Sequence, residues 1–117
     1  MGKVTMILRK PPYGDINAAE AVRHALGAAS SDLKVQLILV DGGTLLARKG
    51  QDDTVTGFTN LEAALKDCAE MGVEIYADRL SLMERSMSIE DLIEGVSVAN
   101  EGDIASMLKE TVTTLIF

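Results

Sequence analysis

The chain has no tryptophan, one cysteine, one histidine and two prolines in 117 residues, and aromatic residues make up only 3% of it. A single cysteine excludes an internal disulfide, and without a Cys/His cluster no zinc or other metal site is expected. So few aromatics leave the core to Ala, Val, Leu, Ile and the six methionines. At 47% hydrophobic residues the chain is well able to build that core, and nothing in its composition suggests disorder. Basic residues are outnumbered by acidic ones, 11 to 18, for a net charge of -7. Phosphate recognition needs clustered Lys and Arg, so non-specific binding to nucleic acid or to an anionic membrane is excluded. The acidity serves solubility. No apolar run approaches the roughly 20 residues that a spanning helix needs. The start, Met1-Gly2-Lys3-Val4, runs into a strand pattern rather than a signal peptide. A cytoplasmic protein of one domain, residues 1–117, is the expectation.

What is present is an alternation of short apolar runs and amphipathic stretches. Val4 to Leu8 reads as a buried strand that ends at Arg9-Lys10-Pro11-Pro12-Tyr13-Gly14, where two prolines and a glycine stop any ladder. Asp15 is placed to cap a helix with Ala18, Val22, Ala25, Leu26 and Ala29 on one face. Leu33 to Val40 is apolar on both sides, as suits a central parallel strand, and Asp41-Gly42-Gly43 breaks it. From there to Phe58 the pattern is irregular, with a short helix expected over Thr44–Lys49 and a turn at Gly50-Gln51-Asp52-Asp53. Thr59-Asn60-Leu61-Glu62 has capping-box spacing and opens a helix with Leu61, Ala64, Leu65, Cys68 and Met71 on its buried stripe.

Gly72 closes that helix, and Val73 to Ala77 forms a third strand ending at Asp78-Arg79-Leu80-Ser81. A helical turn fits Leu80–Met87, and Ser88 opens a further helix that Gly95 ends. Val96-Ser97-Val98 makes a fourth strand, Ile104, Met107 and Leu108 face inward from a last helix, and Thr113 to Phe117 closes as a fifth strand. An apolar ending of this kind is tied into the sheet or into an interface, because a free one would fray. The alternation predicts an α/β fold: a three-layer α/β/α sandwich with helices on both faces and right-handed crossovers.

In an open parallel sheet, ligands gather beyond the carboxyl ends of the strands. The residues expected there are Tyr13, Gly14, Asp41, Gly42, Asp78, Arg79 and Ser81, the candidates for a ligand pocket, together with Asn100. The glycines fit neither the dinucleotide fingerprint nor the phosphate loop, so no cofactor is expected. Cys68 is the first suspect for nucleophilic or sulfur chemistry. Its stripe points it at the core, near a helix carboxyl end where the dipole disfavours a thiolate, and the structural reading is preferred. His24 has no evident nucleophile to serve and reads as a surface residue. For Asp78, capping the next turn or pairing with Arg79 is preferred to acid/base work.

Four motifs recur in order: Pro12-Tyr13-Gly14, Gly57-Phe58, Glu94-Gly95-Val96 and the closing Thr114-Leu115-Ile116-Phe117. With the strand–helix order, they make the whole chain resemble the DsrE/DsrF-like family, including its small YchN-like members. The resemblance implies a five-stranded parallel sheet between helices, in a cytoplasmic homo-oligomer, a trimer or hexamer, or a hetero-oligomer with sulfur-relay proteins. Catalytic members act in sulfur relay, such as sulfur oxidation or 2-thiouridine formation in tRNA, through a persulfide on a cysteine just after the third strand. That place is held here by Asp78, and a second cysteine position of some members is matched by Ser81. An aspartate cannot carry sulfane sulfur. The departure puts the chain nearer the family's non-catalytic subunits, such as the DsrF/TusC type, or its uncharacterised members, than the sulfur carriers. A persulfide on Cys68 and a small-ligand pocket at the sheet edge are the rival readings.

Overall fold

The computed structural model describes residues 3–13, 16–51 and 61–117. Gly14, the cap at Asp15, Gly57-Phe58 and the box opened by Thr59 lie outside them. Strands β1 (Lys3–Leu8), β2 (Val35–Leu39), β3 (Glu74–Asp78), β4 (Val96–Ala99) and β5 (Thr111–Ile116) form one sheet in the order β4-β3-β2-β1-β5. Every pairing is parallel. Among the described residues, four α-helices accompany it: α1 (Asn17–Ser30), α2 (Leu61–Glu70), α3 (Arg79–Glu84) and α4 (Glu101–Lys109).

The first three crossovers step across the sheet in one direction, and the last steps back from β4 to the far side of β1. The right-handed rule therefore puts α1 and α2 on one face and α4 on the other. The two faces differ in chemistry. On the first, Met6, Leu8, Leu37, Leu39 and Ile75 pack with Ala18, Ala21, Val22 and Ala25 of α1 and Leu65 and Cys68 of α2. Alanines on α1 let the helix lie close to the strands. On the second, Gln36 is buried and its Nε2 donates to Thr5 Oγ1 at 2.8 Å and to Thr111 Oγ1 at 3.3 Å. The Met107 carbonyl of α4 lies 3.5 Å from the same nitrogen, while Gln36 Oε1 has no partner among the described residues.

Helix α4 buries no residue fully. Ile104 and Met107 are half-buried and Leu108 is exposed, so the expected inward face is only partly realised. Part of the sheet beneath α4 is polar: Thr5, Gln36 and Thr111 hydrogen-bond to one another there, and Thr111 Oγ1 donates to the Met107 carbonyl of α4 at 3.0 Å. Met71 is another correction. Helix α2 ends at Glu70, Gly72 turns the chain at φ +93, and Met71 is left exposed rather than on the buried stripe.

Tertiary contacts reshape two other segments. In place of a helix over 44–49, a 3-10 helix spans Asp41–Ala47, starting at the end of β2. In place of a helix from Ser88 to Gly95, a short 3-10 turn, Ile89–Asp91, is closed by reciprocal Ser88 and Asp91 hydrogen bonds. The chain then extends, because Arg48 bridges to Leu92 and the Ile93 N–H donates to the Ala47 carbonyl at 2.7 Å. A long-range bridge has displaced a locally favoured helix. The helical turn expected over Leu80–Met87 is α3, which spans Arg79–Glu84.

Candidate functional site

Three strand ends meet at the carboxyl edge of the sheet. Asp78 closes β3 and caps α3, accepting from the Ser81 N–H at 3.1 Å and from the Ser81 hydroxyl at 2.6 Å through one oxygen, Oδ2. Ser81 Oγ in turn accepts the Asp41 N–H at 2.9 Å. Asp41 sits in the left-handed region at φ +49, just beyond β2, and its carbonyl accepts from Thr44 Oγ1 at 2.8 Å. Asp tolerates that conformation better than most residues. The result is a chain of hydrogen bonds from β3 through Ser81 to the end of β2.

A serine 2.6 Å from a carboxylate resembles a nucleophile with its base. Here the serine is buried, its proton is committed to Asp78 and its oxygen accepts from Asp41. The one histidine lies elsewhere, exposed on α1, with Nδ1 2.7 Å from the Glu20 carbonyl and its ring 5.4 Å from Phe117. The Asp78–Ser81–Asp41 arrangement is thus built to hold two strand ends together.

Gly42 and Gly43 complete the junction. A Cβ on Gly43 would collide with the Leu8 carbonyl of β1, and one on Gly42 would press on the Pro11 ring. Glycine is needed at 43 so that the 3-10 helix can pass over the end of β1. Tyr13, half-buried, donates to Gln51 Oε1 at 2.7 Å. Gln51 Nε2 donates to the Leu46 and Arg48 carbonyls, and its N–H to Glu62 Oε1 at 3.0 Å.

A cleft of about 330 Å³ opens beside this junction, lined by Asp78, Arg79, Leu80, Met83, Asn100 and Glu101. Of the residues expected at this edge, Asp78, Arg79 and Asn100 line it. Ser81 hydrogen-bonds to Asp78 and Asp41 to Ser81, but neither lines it, and Tyr13 and Gly42 belong to the β1–β2 junction. Sequence reasoning missed Leu80 and Met83. Their spacing of three puts them on one face of α3, and both are exposed, at 60% and 63%. The buried Ser81 and Leu82 mark the opposite face, a signal readable only once the helix is assigned.

Cys68 is fully buried, with Sγ 3.8 Å from the Val22 carbonyl. Burial, with Asp67 alongside, pushes its thiol up to about 11. Among the described residues no three His, Cys, Asp or Glu side chains cluster to hold a metal, and no helix is long and apolar enough to cross a membrane.

An all-parallel five-stranded α/β protein, with stitched strand ends and its lone thiol in the core, is the class these features define. The chain belongs to the DsrE/DsrF-like family, whose model matches residues 2–117. It is 34% identical over 115 residues to an uncharacterised protein of Methanopyrus kandleri, covering 97% of this chain and 93% of that one. It is also 34% identical over 93 residues to the intracellular sulfur oxidation protein DsrF of Allochromatium vinosum, covering 79% of this chain and 68% of that one. The crystal structure of ychN from E. coli superimposes with a TM-score of 0.91 over the full length of both chains at 21% identity, a likeness of fold.

Proposed function

We propose that this protein is a non-catalytic, cytoplasmic DsrE/DsrF-like subunit that acts as a homo-oligomer, a trimer or hexamer, or beside other subunits in an intracellular sulfur relay. Family membership and the likeness to DsrF support the association with sulfur relay. One observation carries the non-catalytic part. Where the resemblance puts a sulfur-carrying cysteine, Asp78 is engaged in capping α3 and holding Ser81. Its oxygens form no persulfide, and Ser81 is equally unable to do so.

The remaining thiol is poorly suited to replace it. A rise from the ordinary 9.0 to about 11 lowers the thiolate fraction near neutrality about a hundredfold, before burial blocks access. Alkylation of the native protein, with and without thiosulfate or a persulfide-loaded cysteine desulfurase, tests this reading. Cys68 should label only in denaturant, and the native mass should gain no sulfur. Rapid native labelling with an added sulfur atom on Cys68 would overturn it.

A second reading, a small-ligand binder, is favoured by the cleft in which the charged Asp78 and Arg79 sit beside the apolar Leu80 and Met83. A thermal-shift screen repeated on Asp78→Ala tests it, since a ligand that binds only the folded state raises its melting temperature. No stabilising compound for the parent protein would dismiss this reading.

A further inference from the structure

Gln36 lies in the middle of the sheet with only half of its amide satisfied. It stands on β2, 1% exposed, on the face that meets α4. Its neighbours fix which way the amide points. Thr111 spends its hydroxyl proton on the Met107 carbonyl, 3.0 Å away, so it accepts the hydroxyl of Thr5. Thr5 Oγ1 is left to accept from Gln36 Nε2 at 2.8 Å. The nitrogen therefore faces β1 and β5. The two ends of an amide diverge, so Oε1 is turned the other way, toward β3, and there it has no partner among the described residues. A buried carbonyl oxygen without a donor costs stability.

On that side a second cleft, of about 380 Å³, opens between α4 and strands β3 and β4. Tyr76, Val98, Ala99, Asp103, Met107 and Glu110 are among its walls, and no Lys, Arg or His lines it. The register sets Glu74 beside Gln36, and Tyr76 follows on the same face of β3. Glu74 is already engaged by Lys3 and by the Tyr76 hydroxyl. Met107 links the buried amide to the cleft: it lines the cleft, and its carbonyl lies 3.5 Å from Gln36 Nε2. No residue lines both this cleft and the one at Asp78.

We propose that this second cleft binds a small primary amine, whose ammonium group donates to Gln36 Oε1 while its hydrocarbon part lies along Val98, Ala99 and Met107. Each feature narrows the class of ligand. An unpaired buried acceptor calls for an N–H or O–H donor. The carboxylates of Asp103, which also caps α4, and of Glu110 have no basic side chain beside them in the walls, so a cationic donor is favoured over a neutral one and an anion is repelled. The Tyr76 ring adds attraction for a cation. Gln36 itself does not line the cleft, and the ammonium reaches it past Met107, an unbranched side chain with three rotatable bonds that moves aside.

Butylammonium near neutral pH is the probe, with butanol and sodium chloride at matched concentrations for comparison. Gln36 and Gln51 are the only glutamines in the chain, so the Gln36 side-chain amide gives an NMR signal identified by its loss in Gln36→Leu. Butylammonium should move that signal saturably in the millimolar range and raise the melting temperature of the parent protein. Butanol and sodium chloride should do neither. Gln36→Leu should abolish the thermal shift, Glu110→Gln should weaken binding severalfold, and Asp78→Ala should bind as the parent does, which separates this site from the cleft at Asp78. An amide signal that never saturates means that water alone meets the oxygen, and the site is overturned. It is overturned equally by a response that butanol or sodium chloride reproduces, or by full binding in Gln36→Leu. Should Gln36→Leu lose its circular dichroism, the exposed Glu110→Gln decides, and unchanged affinity there refutes the proposal.

Discussion

Asp78 shows how one side chain can be read in opposite ways. The family resemblance implies a sulfur-carrying cysteine at its position, and by contact it caps α3 and accepts a hydrogen bond from a buried serine. Removing it should cost about 1 kcal/mol for the cap and a comparable amount for the orphaned Ser81 hydroxyl. Urea unfolding of Asp78→Ala should therefore show a loss of roughly 2 kcal/mol, with most of it recovered in Asp78→Asn, which retains an acceptor. If Asp78→Ala matched the parent protein, the capping role would fall. The cap was legible in the sequence from an aspartate before a helical turn. The tie to Asp41 was not, because it spans 40 positions.

At the scale of elements, two glycines should respond to alanine with opposite signs. Gly43 lies against the β1 backbone, which cannot yield as a flexible side chain does, so Gly43→Ala should destabilise by on the order of 3 kcal/mol. Gly27 lies inside α1 with open space around its missing Cβ, so Gly27→Ala should stabilise by about 0.5–1 kcal/mol. Chemical denaturation of both variants checks the pair, and an equal response would contradict the packing described. Most elements were legible from apolar periodicity: β1 to β4, α1 and α2 follow directly from it. The segments 41–47 and 88–95 escaped because the Arg48–Leu92 bridge joins them across a gap in sequence, where periodicity carries no information.

For the whole molecule, pH should act from both sides. A hydrogen bond from Tyr76, then one from Lys3, holds Glu74 below the usual carboxylate range. Arg23 does the same for Glu20, the Gln51 N–H for Glu62 and the Ser88 N–H for Asp91. A carboxyl depressed in the folded state gives stability that is present above its unfolded value and lost as pH falls through the folded one. Tyr76 runs the other way. The Glu74 hydrogen bond raises it to about 12, and burial raises Cys68 to about 11. Their contributions are complete below the unfolded values and fade as pH climbs through the folded ones. Urea midpoints should thus be flat from about pH 5 to about pH 8 and fall outside that window. Glu74→Gln should soften both flanks, since it removes one acid and the main cause of the Tyr76 shift. Unchanged flanks in that variant would remove Glu74 from the account.

The order of apolar and polar residues was enough by itself to set strands against helices and to keep the thiol off the surface, since periodicity and composition act locally. It also placed an oxygen side chain, Asp78, at the end of the third strand. Only the tertiary structure decided that β5 would lie outermost beside β1, that α4 would meet the buried Gln36, and that Asp41, Asp78 and Ser81 would share their hydrogen bonds. Those outcomes depend on the direction of each crossover and on contacts between residues far apart in the chain, and no local pattern encodes either.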